Sequence, residues 1–220
     1  MVVTKSKNGK SAVELHEHVP ANWYHRSIKE NIFQRYWHNR RFKEVKKFSE
    51  KVKGVILDIG AADGLFTEIV LKTTKAKKVI GIDVLKSSVD WANDYYKKNK
   101  KLEFKLGDAH KLNFPPSTFD AVYALEVLEH VHDPQKVLKE IKRVLKKGGH
   151  AILLVPAENL IFKIVWLLWN LSGRMIWKDA HLHHYSNDQL VKLCKDVGFE
   201  VVENNKFILN MLHLIKVRKK

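Results

Sequence analysis

Short apolar runs alternate with helical patterns along most of this chain, and that alternation restricts the fold more than any other feature. The run VILDIG at 55–60 is too uniformly apolar for a strand with one face in water, so we expect a buried strand there. Further strands are expected at 78–83, 102–108, 119–125 and 150–156. This order predicts an α/β fold of the doubly wound type, with a mainly parallel sheet and helices on both faces.

The two ends of the chain carry different patterns. Near the C-terminus, strand patterns at about 199–205 and 210–218 are close enough in sequence to form a hairpin. Near the N-terminus, a helical pattern runs from Pro20 to about residue 47, and its apolar residues recur at three- and four-residue steps. The pattern predicts one apolar helix face, made of Ile28, Ile32, Phe33, Tyr36 and Trp37.

The chain is strongly basic, with a formal net charge of +16. Residues 1–53 hold 13 Lys or Arg against 5 Asp or Glu. Such an excess favours an anionic partner, namely nucleic acid, a lipid surface or an acidic small molecule, although a solvated Lys-rich surface has the same composition. Because Cys194 is the one cysteine in 220 residues, the sequence excludes a disulfide framework and favours a reducing, intracellular setting.

The sequence predicts two parts with different roles. Residues 1–50 would form a tail and basic aromatic helices that cover a site, and residues 51–220 would form the main domain. An apolar insertion is expected at about 158–185, and its segment 160–171 would make a helix about 18 Å long, too short to span a bilayer. That segment would either pack over the pocket as a lid or meet lipid.

The first loop of the sheet predicts a ligand site with an unusual glycine spacing. A dinucleotide fingerprint would place small residues at 60, 62 and 65, but position 65 is Leu. The spacing here is Asp58-x-Gly60-x-Ala62-x-Gly64, with an acid two residues before the first glycine. An acid at that point repels a pyrophosphate and suits a ligand that carries an ammonium group.

Two further carboxylates follow strands in the same half of the sheet. Asp83 ends the second strand, where a carboxylate can accept both hydroxyls of a ribose, and Asp108 ends the third, within reach of an adenine amino group. Since ligands bind at the carboxyl ends of the strands in such sheets, these groups should meet at one site. Ribose, adenine and a cationic amino-acid end are the parts of S-adenosylmethionine.

Four stretches together resemble the class I S-adenosylmethionine-dependent methyltransferases: LDIGAADG, VIGID, GDAHKLNFPPSTFDAVYALEVLEHV and VLKKGGHAILLVP, between about Val55 and Phe207. The resemblance implies S-adenosylmethionine as cofactor and a seven-stranded sheet in the order 3-2-1-4-5-7-6, with the last strand antiparallel. Ala62 departs from the family, where many members have Gly, but Ala is small enough for binding to survive. The cofactor residues implied are Asp58, Gly60, Ala62, Gly64, Asp83, Val84, Asp108, Ala109 and Leu125.

The segment after the fourth strand bears on the methyl acceptor. Methyltransferases of this superfamily that act on base or amide nitrogens carry an Asn/Asp-Pro-Pro-aromatic motif there, and this chain has YALEVLEHVHDP instead. That segment resembles the branch that methylates quinone precursors, lipids and other small molecules. The resemblance therefore implies O- or C-methylation of a small or lipid-like acceptor.

Three residues of this segment are candidate catalytic groups. Glu126, Glu129 and His130 would share one face of a helical turn, since they stand at positions i, i+3 and i+4. His130 would act as a general base without a metal, or the three would bind a divalent ion as in Mg²⁺-assisted O-methyltransferases; the absence of a metal is favoured. The side chains expected to line the substrate pocket are those of Trp37, His184 and Tyr185.

Alternatives stay open for the partner and the location. The charge and the basic helix would also suit an RNA-directed methyltransferase, and a non-catalytic cofactor-binding module is a third hypothesis. The first ten residues have no apolar core, so no secretory signal is expected and a cytoplasmic protein is favoured. Peripheral binding to an anionic membrane is a further hypothesis, with Trp166, Trp169 and the basic tail as contacts.

Overall fold

The computed structural model describes residues 12–157, 159, 161–162, 182–186 and 188–220. Within these residues seven strands form one sheet in the order β3-β2-β1-β4-β5-β7-β6, which confirms the predicted fold. The strands are β1 Lys53–Ile59, β2 Lys75–Asp83, β3 Leu102–Leu106, β4 Phe119–Leu125, β5 Leu145–Pro156, β6 Phe199–Phe207 and β7 Leu212–Lys219. The helices are α1 Ala12–His16, α2 Trp23–Glu30, α3 Ile32–Ser49, α4 Leu65–Thr73, α5 Lys86–Tyr95, α6 Pro134–Val144 and α7 Gln189–Asp196.

The pairing directions also agree with the prediction. β1 pairs in parallel with β2 on one side and with β4 on the other, and β3 and β5 extend the parallel sheet. β7 runs antiparallel to both β5 and β6, so the last two strands form the expected hairpin. The carboxyl ends of β1 to β5 therefore share one edge of the sheet, which we call the carboxyl edge, and the β6–β7 turn lies at that same edge.

The core lies on both faces of the central strands. In β4 every residue except Asp120 is buried, as a strand in the middle of a parallel sheet requires. Leu57 and Val122 contribute to the hydrophobic cluster on one face, and Ile56 and Tyr123 to the cluster on the other. Since neighbouring residues of one strand point to opposite faces, the uniform apolar runs of the sequence follow from this double burial.

The helical pattern predicted from Pro20 to residue 47 forms two helices, because the chain leaves the helical conformation at Asn31. Asn31 has φ −131° and ψ 116°, and its side-chain oxygen accepts the N–H groups of Phe33 at 2.9 Å and Gln34 at 3.1 Å. This is the geometry of an N-cap. The prediction of one continuous helix was therefore wrong, since Asn31 follows the end of α2 and caps the start of α3.

The apolar residues at the start of α3 lie on the side that faces away from the sheet. Ile32, Phe33 and Tyr36 are 66%, 74% and 63% exposed, and the other two residues of the predicted apolar face, Ile28 and Trp37, are half-buried. An apolar helix face normally packs on the core, so the periodicity indicated the wrong side of this helix. The buried residues of α3 are His38, Arg41, Glu44, Val45, Phe48 and Ser49.

The apolar segment predicted at 160–171, with Trp166 and Trp169, lies outside the described residues except for positions 161 and 162. Most of the insertion predicted at about 158–185 likewise lies outside them. Among the residues that the structure does describe, no helix is long and apolar enough to cross a membrane.

Candidate active site

The loop between β1 and α4 brings the backbone close to the carboxyl edge. Gly60 has φ +73°, and a Cβ there would lie 2.5 Å from a methyl group of Val127. The N–H groups of Gly60 and Ala61 both donate to the carbonyl of Ile82, at 2.8 and 3.0 Å, which fixes the loop against the end of β2. Ala62 also has a positive φ, +45°, so the departure from glycine at this position places an L-residue in the left-handed region.

Asp83 is the carboxylate that connects this loop to the second strand. One carboxylate oxygen accepts the N–H of Ala62 and the other accepts the N–H of Leu85, each at 2.9 Å. Burial raises the pKa of Asp83, and these backbone hydrogen bonds oppose that rise. Because a carboxylate oxygen can accept two hydrogen bonds, each oxygen keeps acceptor capacity for a ligand hydroxyl.

Asp108 is oriented by a histidine that the sequence analysis did not single out. The N–H of His110 donates to the Asp108 carboxylate at 2.9 Å, and Nδ1 of the same histidine lies 2.7 Å from that oxygen. The N–H of Asp133 points at Nε2 of His110 from 3.3 Å, which makes Nε2 the acceptor and places the ring proton on Nδ1. The imidazole thus donates to Asp108 and holds it at the end of β3.

These loops enclose a cavity of about 900 Å³, its open mouth included, at the carboxyl edge. Helices α1 and α2 cover one side of it. Six predicted cofactor residues line this cavity: Gly60, Ala62, Asp83, Val84, Asp108 and Ala109. The structure therefore brings together residues from the ends of three strands, although their contact with a cofactor remains a prediction.

The other three predicted cofactor residues are close by but do not line the described walls of the cavity. Asp58 is buried, and its carboxylate accepts the hydroxyl of Thr67 at 2.6 Å. Burial raises the pKa of Asp58 to about 7, an effect that the Thr67 hydrogen bond reduces. Gly64 begins α4 with φ +77° and packs against two aromatic rings, and Leu125 is buried in the core.

Glu126 is directed into the cavity by a buried arginine. Its backbone has φ +58°, a conformation that few non-glycine residues adopt, and its carboxylate lines the cavity wall. A guanidinium nitrogen of Arg41, which is 2% exposed, lies 2.7 Å from that carboxylate, and Arg41 also stacks over Phe66 at 4.5 Å. This ion pair connects the N-terminal helix α3 to the wall of the site, and sequence spacing gave no signal for it.

Residues 126–130 do not form the helical turn that the spacing predicts, because Glu126 has φ +58° and residues 128–130 form a turn outside any helix. His130 lines the cavity, where its ring meets that of His16 edge to face with centroids 4.9 Å apart. Glu129 is buried, and its carbonyl accepts the N–H groups of Leu182 and His183. The helical-turn prediction was wrong for these three residues.

The metal alternative finds no support in this arrangement. Within the described part of the chain, no group of three or more His, Cys, Asp or Glu is placed to hold a metal ion. Glu126 is instead neutralised by Arg41 at 2.7 Å. His130 as a general base remains a prediction.

The predicted substrate-pocket residues lie apart from the described cavity walls. Trp37 packs against one core cluster, and Tyr185 is buried in the other, where its hydroxyl donates to the carbonyl of Leu128 at 3.2 Å. His184 is exposed. Their place in a substrate pocket remains a prediction, because the neighbouring insertion lies outside the described residues.

Several cavity residues were missed by sequence analysis, and most come from the N-terminal cover. His16, Trp23 and Tyr24 line the cavity, and so does Asp63 of the glycine loop. Asp63 accepts the backbone N–H of His25 at 2.9 Å, and Nε2 of that histidine lies 3.1 Å from the Tyr96 hydroxyl. The hydrogen bond from His25 to Asp63 fixes α2 against the glycine loop. An acidic residue just before a helix, as at position 63, was the one local signal that could have indicated this contact.

Comparisons with known proteins agree with this geometry. A statistical description of the family "Methyltransferase domain" matches residues 33–204. The ubiquinone/menaquinone biosynthesis C-methyltransferase of Desulfotalea psychrophila is 30% identical over 189 residues, which cover 79% of this chain and 76% of that protein. The ubiquinone biosynthesis O-methyltransferase of Pelagibacter ubique is 28% identical over 200 residues, 84% of this chain and 79% of that one.

Solved structures share the fold at lower identity. A structure of a S-adenosylmethionine-dependent methyltransferase from Aquifex aeolicus superposes with a TM-score of 0.64 and 20% identity, covering 81% of this chain and 88% of that one. The cyclase SpnF superposes with a TM-score of 0.74 and 16% identity, covering 99% and 98%. At these identities the likeness shows the fold alone, and the cyclase illustrates that one fold hosts different reactions.

Proposed function

Because this chain belongs to the class I S-adenosylmethionine-dependent methyltransferases and acts on small-molecule acceptors, we propose the finer assignment of a ring-bearing acceptor of the quinone-precursor type. The observation that carries this proposal is the meeting of Asp83, Glu126 and His130 in one cavity. This chain covers more than two thirds of the length of two relatives from quinone pathways. One is a C-methyltransferase and the other is an O-methyltransferase.

The residues at the carboxyl edge fit the parts of the cofactor. Asp83 would accept the two ribose hydroxyls through the acceptor capacity that its backbone hydrogen bonds leave. Asp108, oriented by His110, would accept the adenine amino group. Glu126 would face the α-ammonium of the amino-acid end, with Arg41 holding it in place. The bound cofactor supplies an electrophilic methyl group on a sulfonium.

His130 would serve the acceptor. A phenol or enol must lose its proton before its oxygen or ring carbon becomes a good nucleophile, and an imidazole with an ordinary pKa near 6.5 suits that step. His130 would take the proton of the acceptor's hydroxyl group, which leaves an electron pair on the oxygen or ring carbon for the methyl group that the bound cofactor would supply. The rest of the increase in reaction rate would come from holding the methyl donor and the nucleophilic atom of the acceptor in the geometry that the transfer requires.

The walls of the cavity support a flat, apolar acceptor. Trp23 and Tyr24 of α2 line it together with Val127 and Val131. Burial raises the pKa of the Tyr24 hydroxyl, so this residue stays neutral and offers a ring face. Aromatic and aliphatic walls with few polar groups are typical of sites that bind an apolar ring.

The experiment is methyl transfer from labelled cofactor to a whole-cell extract, followed by separation into small-molecule, lipid, RNA and protein fractions. We expect label in the small-molecule or lipid fraction, and in hydroxylated quinone precursors offered as purified acceptors. His130→Ala should lower kcat at least tenfold with cofactor affinity unchanged. The matched control is His150→Ala, in the middle of β5 and six residues before its carboxyl end.

Three outcomes would overturn the proposal in different ways. Label that appears in RNA alone would favour the RNA-directed hypothesis. Tight cofactor binding without label in any fraction would favour a non-catalytic module. Equal activity of the His130→Ala and His150→Ala variants would remove His130 from the reaction.

A further inference from the structure

The large exposed apolar residues of this protein concentrate at one edge. Five of them form what we call the apolar rim: Ile32, Phe33, Tyr36, Ile161 and Leu209. Leu209 is 69% exposed and Ile161 is 41% exposed. Exposed apolar side chains are unremarkable when scattered, but a group of them at one place marks an interaction surface.

The direction of α3 places the first part of the rim. Arg41 reaches Glu126 just after the end of β4, and Ser49, two turns later in the helix, bonds to Tyr123 inside the same strand at 2.8 Å. The helix therefore runs antiparallel to the strand, with its start beyond the carboxyl edge. At 1.5 Å per residue, Tyr36 and Ile32 lie roughly 8–13 Å farther out than Arg41.

The β6–β7 turn places the second part of the rim at the same edge. Leu212 pairs with Pro156, the last residue of β5, so Leu209 lies beyond the end of that strand. Asn159 donates to the Leu209 carbonyl at 2.9 Å, which brings the chain that leads to Ile161 beside the turn. Both parts of the rim thus surround the edge that holds the cavity.

The turn itself has an unusual backbone. Ile208, Leu209 and Asn210 have φ values of +49°, +53° and +60°, three left-handed residues in succession. A β-branched residue such as Ile208 adopts this conformation rarely and at a cost. The result of that conformation is that Leu209 stands out from the tip of the hairpin and does not fold back on the core.

Basic residues adjoin the rim on the outer face of α3. Arg35 and Lys43 are exposed and Arg40 is half-buried, and none of the three has an ion-pair partner within the described part of the chain. In a helix, residues 32, 36, 39, 40 and 43 share one side, so Arg40 and Lys43 follow the apolar turn along the same face, and Arg35 lies within that turn at the border of the face. Apolar side chains at the tip with cations behind them match a bilayer, whose apolar interior lies beneath anionic headgroups.

We propose that the carboxyl edge docks on anionic phospholipid bilayers through the apolar rim and the basic outer face of α3. Docking would place the mouth of the cavity at the bilayer surface, so that a hydrophobic acceptor could pass from the bilayer into the cavity without crossing water. That consequence rests on the proposed function, but the docking itself does not. Nucleic acid is the competing partner for the basic face. Binding to nucleic acid would not explain why the apolar residues Ile32 and Phe33 are exposed at the start of α3.

The test is flotation of the full chain with vesicles at 100 mM salt, using phosphatidylcholine alone or with phosphatidylglycerol. We expect binding to the anionic vesicles and at least tenfold weaker binding to the neutral ones. The double change Ile32→Ser with Phe33→Ser should weaken binding to anionic vesicles at least tenfold. Val202→Ser, which alters an exposed apolar residue in the middle of β6, should leave it unchanged.

Two double variants that each remove two positive charges test the contribution of the basic face. Arg35→Gln with Lys43→Gln should weaken binding several-fold, whereas Lys98→Gln with Lys100→Gln, an equal loss of charge before β3, should not. Equal weakening by both pairs would mean general electrostatic attraction and would overturn the docking surface. So would wild-type protein that ignores anionic vesicles, or binding that survives the Ile32/Phe33 change in protein with an unaltered Tm.

A parallel titration separates this proposal from the others. If an RNA oligonucleotide binds at 100 mM salt and its binding depends on Arg35 and Lys43 but not on Ile32 and Phe33, while anionic vesicles do not bind, the basic face serves nucleic acid and the membrane proposal is wrong. A calorimetric titration with S-adenosylmethionine on the same preparation reports the proposed function. Wild-type protein that binds the cofactor but does not bind anionic vesicles would reject the docking surface and leave the proposed function standing.

Discussion

The loops at the carboxyl edge and the helices that cover them are held in place by different forces. In the loops the backbone dominates: Gly60 has φ +73°, and both oxygens of Asp83 accept backbone N–H groups at 2.9 Å. In the cover, which includes α3, side chains make the contacts: Val45 and Phe48 pack into the core, and polar groups add ion pairs and hydrogen bonds. Arg41 pairs with Glu126 at 2.7 Å, and Lys216 donates to the carbonyl of Phe48 at 2.9 Å.

That difference explains where sequence patterns are informative. Ala62 and Asp83, which a hydrogen bond joins, are 21 positions apart, and local motifs in the sequence assign both to one site. The partners of α3 lie far away in the chain, as Arg41 and Glu126 do, and no local pattern records them. The cover therefore buries charged residues whose pairing can be seen in the structure alone.

The largest loss of stability is expected from Arg41→Met, which removes one partner of the buried ion pair that connects α3 to Glu126. The Glu126 carboxylate would then stand beside a buried apolar side chain, and breaking such a pair typically costs about 3–5 kcal/mol. We expect the free energy of unfolding, measured with urea, to fall by that amount.

The double variant Arg41→Met with Glu126→Gln is the control for this prediction. It removes both charges, so it should recover at least half of the lost stability. A fall below about 1 kcal/mol for Arg41→Met alone would show that polar contacts do not hold the cover.

A smaller effect is expected from Asp58, which belongs to the loop region. Its pKa is raised to about 7 in the folded protein, so the folded state binds a proton that the unfolded state has released above about pH 4. Stability from this group is therefore present at low pH and is lost as the pH rises toward 7. Linkage gives a loss of about 2 kcal/mol between pH 5 and pH 7.

Asp58→Asn isolates that contribution, because the amide does not titrate. The stability of the variant relative to wild type should increase by about 2 kcal/mol from pH 5 to pH 7, since all other groups cancel in the difference. A difference that stays constant with pH would mean that Asp58 titrates normally and is not desolvated.

The smallest effect concerns the outer face of α3, where periodicity and structure disagree. Phe33 is 74% exposed, so Phe33→Ser should change the free energy of unfolding by less than about 0.5 kcal/mol. Phe48→Ala, on the buried side of the same helix, should cost about 3–5 kcal/mol. If Phe33→Ser and Phe48→Ala lower the free energy of unfolding by similar amounts, then Phe33 lies on a buried apolar face, as the sequence pattern predicted.

Prediction from sequence succeeded where local chemistry and geometry coincide. The strand runs, the hairpin at the C-terminus and the position of Asp83 at the end of β2 followed from apolar runs and spacing. The third strand was predicted to end at Asp108, but β3 ends at Leu106, two residues earlier. Prediction failed at residues 126–130, because the positive φ of Glu126 breaks the helical turn that the spacing assumed. It also missed His16 and Tyr24, which reach the cavity through the packing of the cover and not through any motif.

The central claim is that the cavity at the carboxyl edge is the cofactor site, and calorimetric titration with S-adenosylmethionine tests it most directly. We predict one binding site in the wild-type protein and at least about hundredfold weaker binding to Asp83→Ala, since two hydrogen bonds to a charged group contribute about 1.5–3 kcal/mol each. Asp90→Ala, an exposed acid on α5, should bind as wild type does. Binding by a folded Asp83→Ala variant within twofold of wild type would contradict the claim.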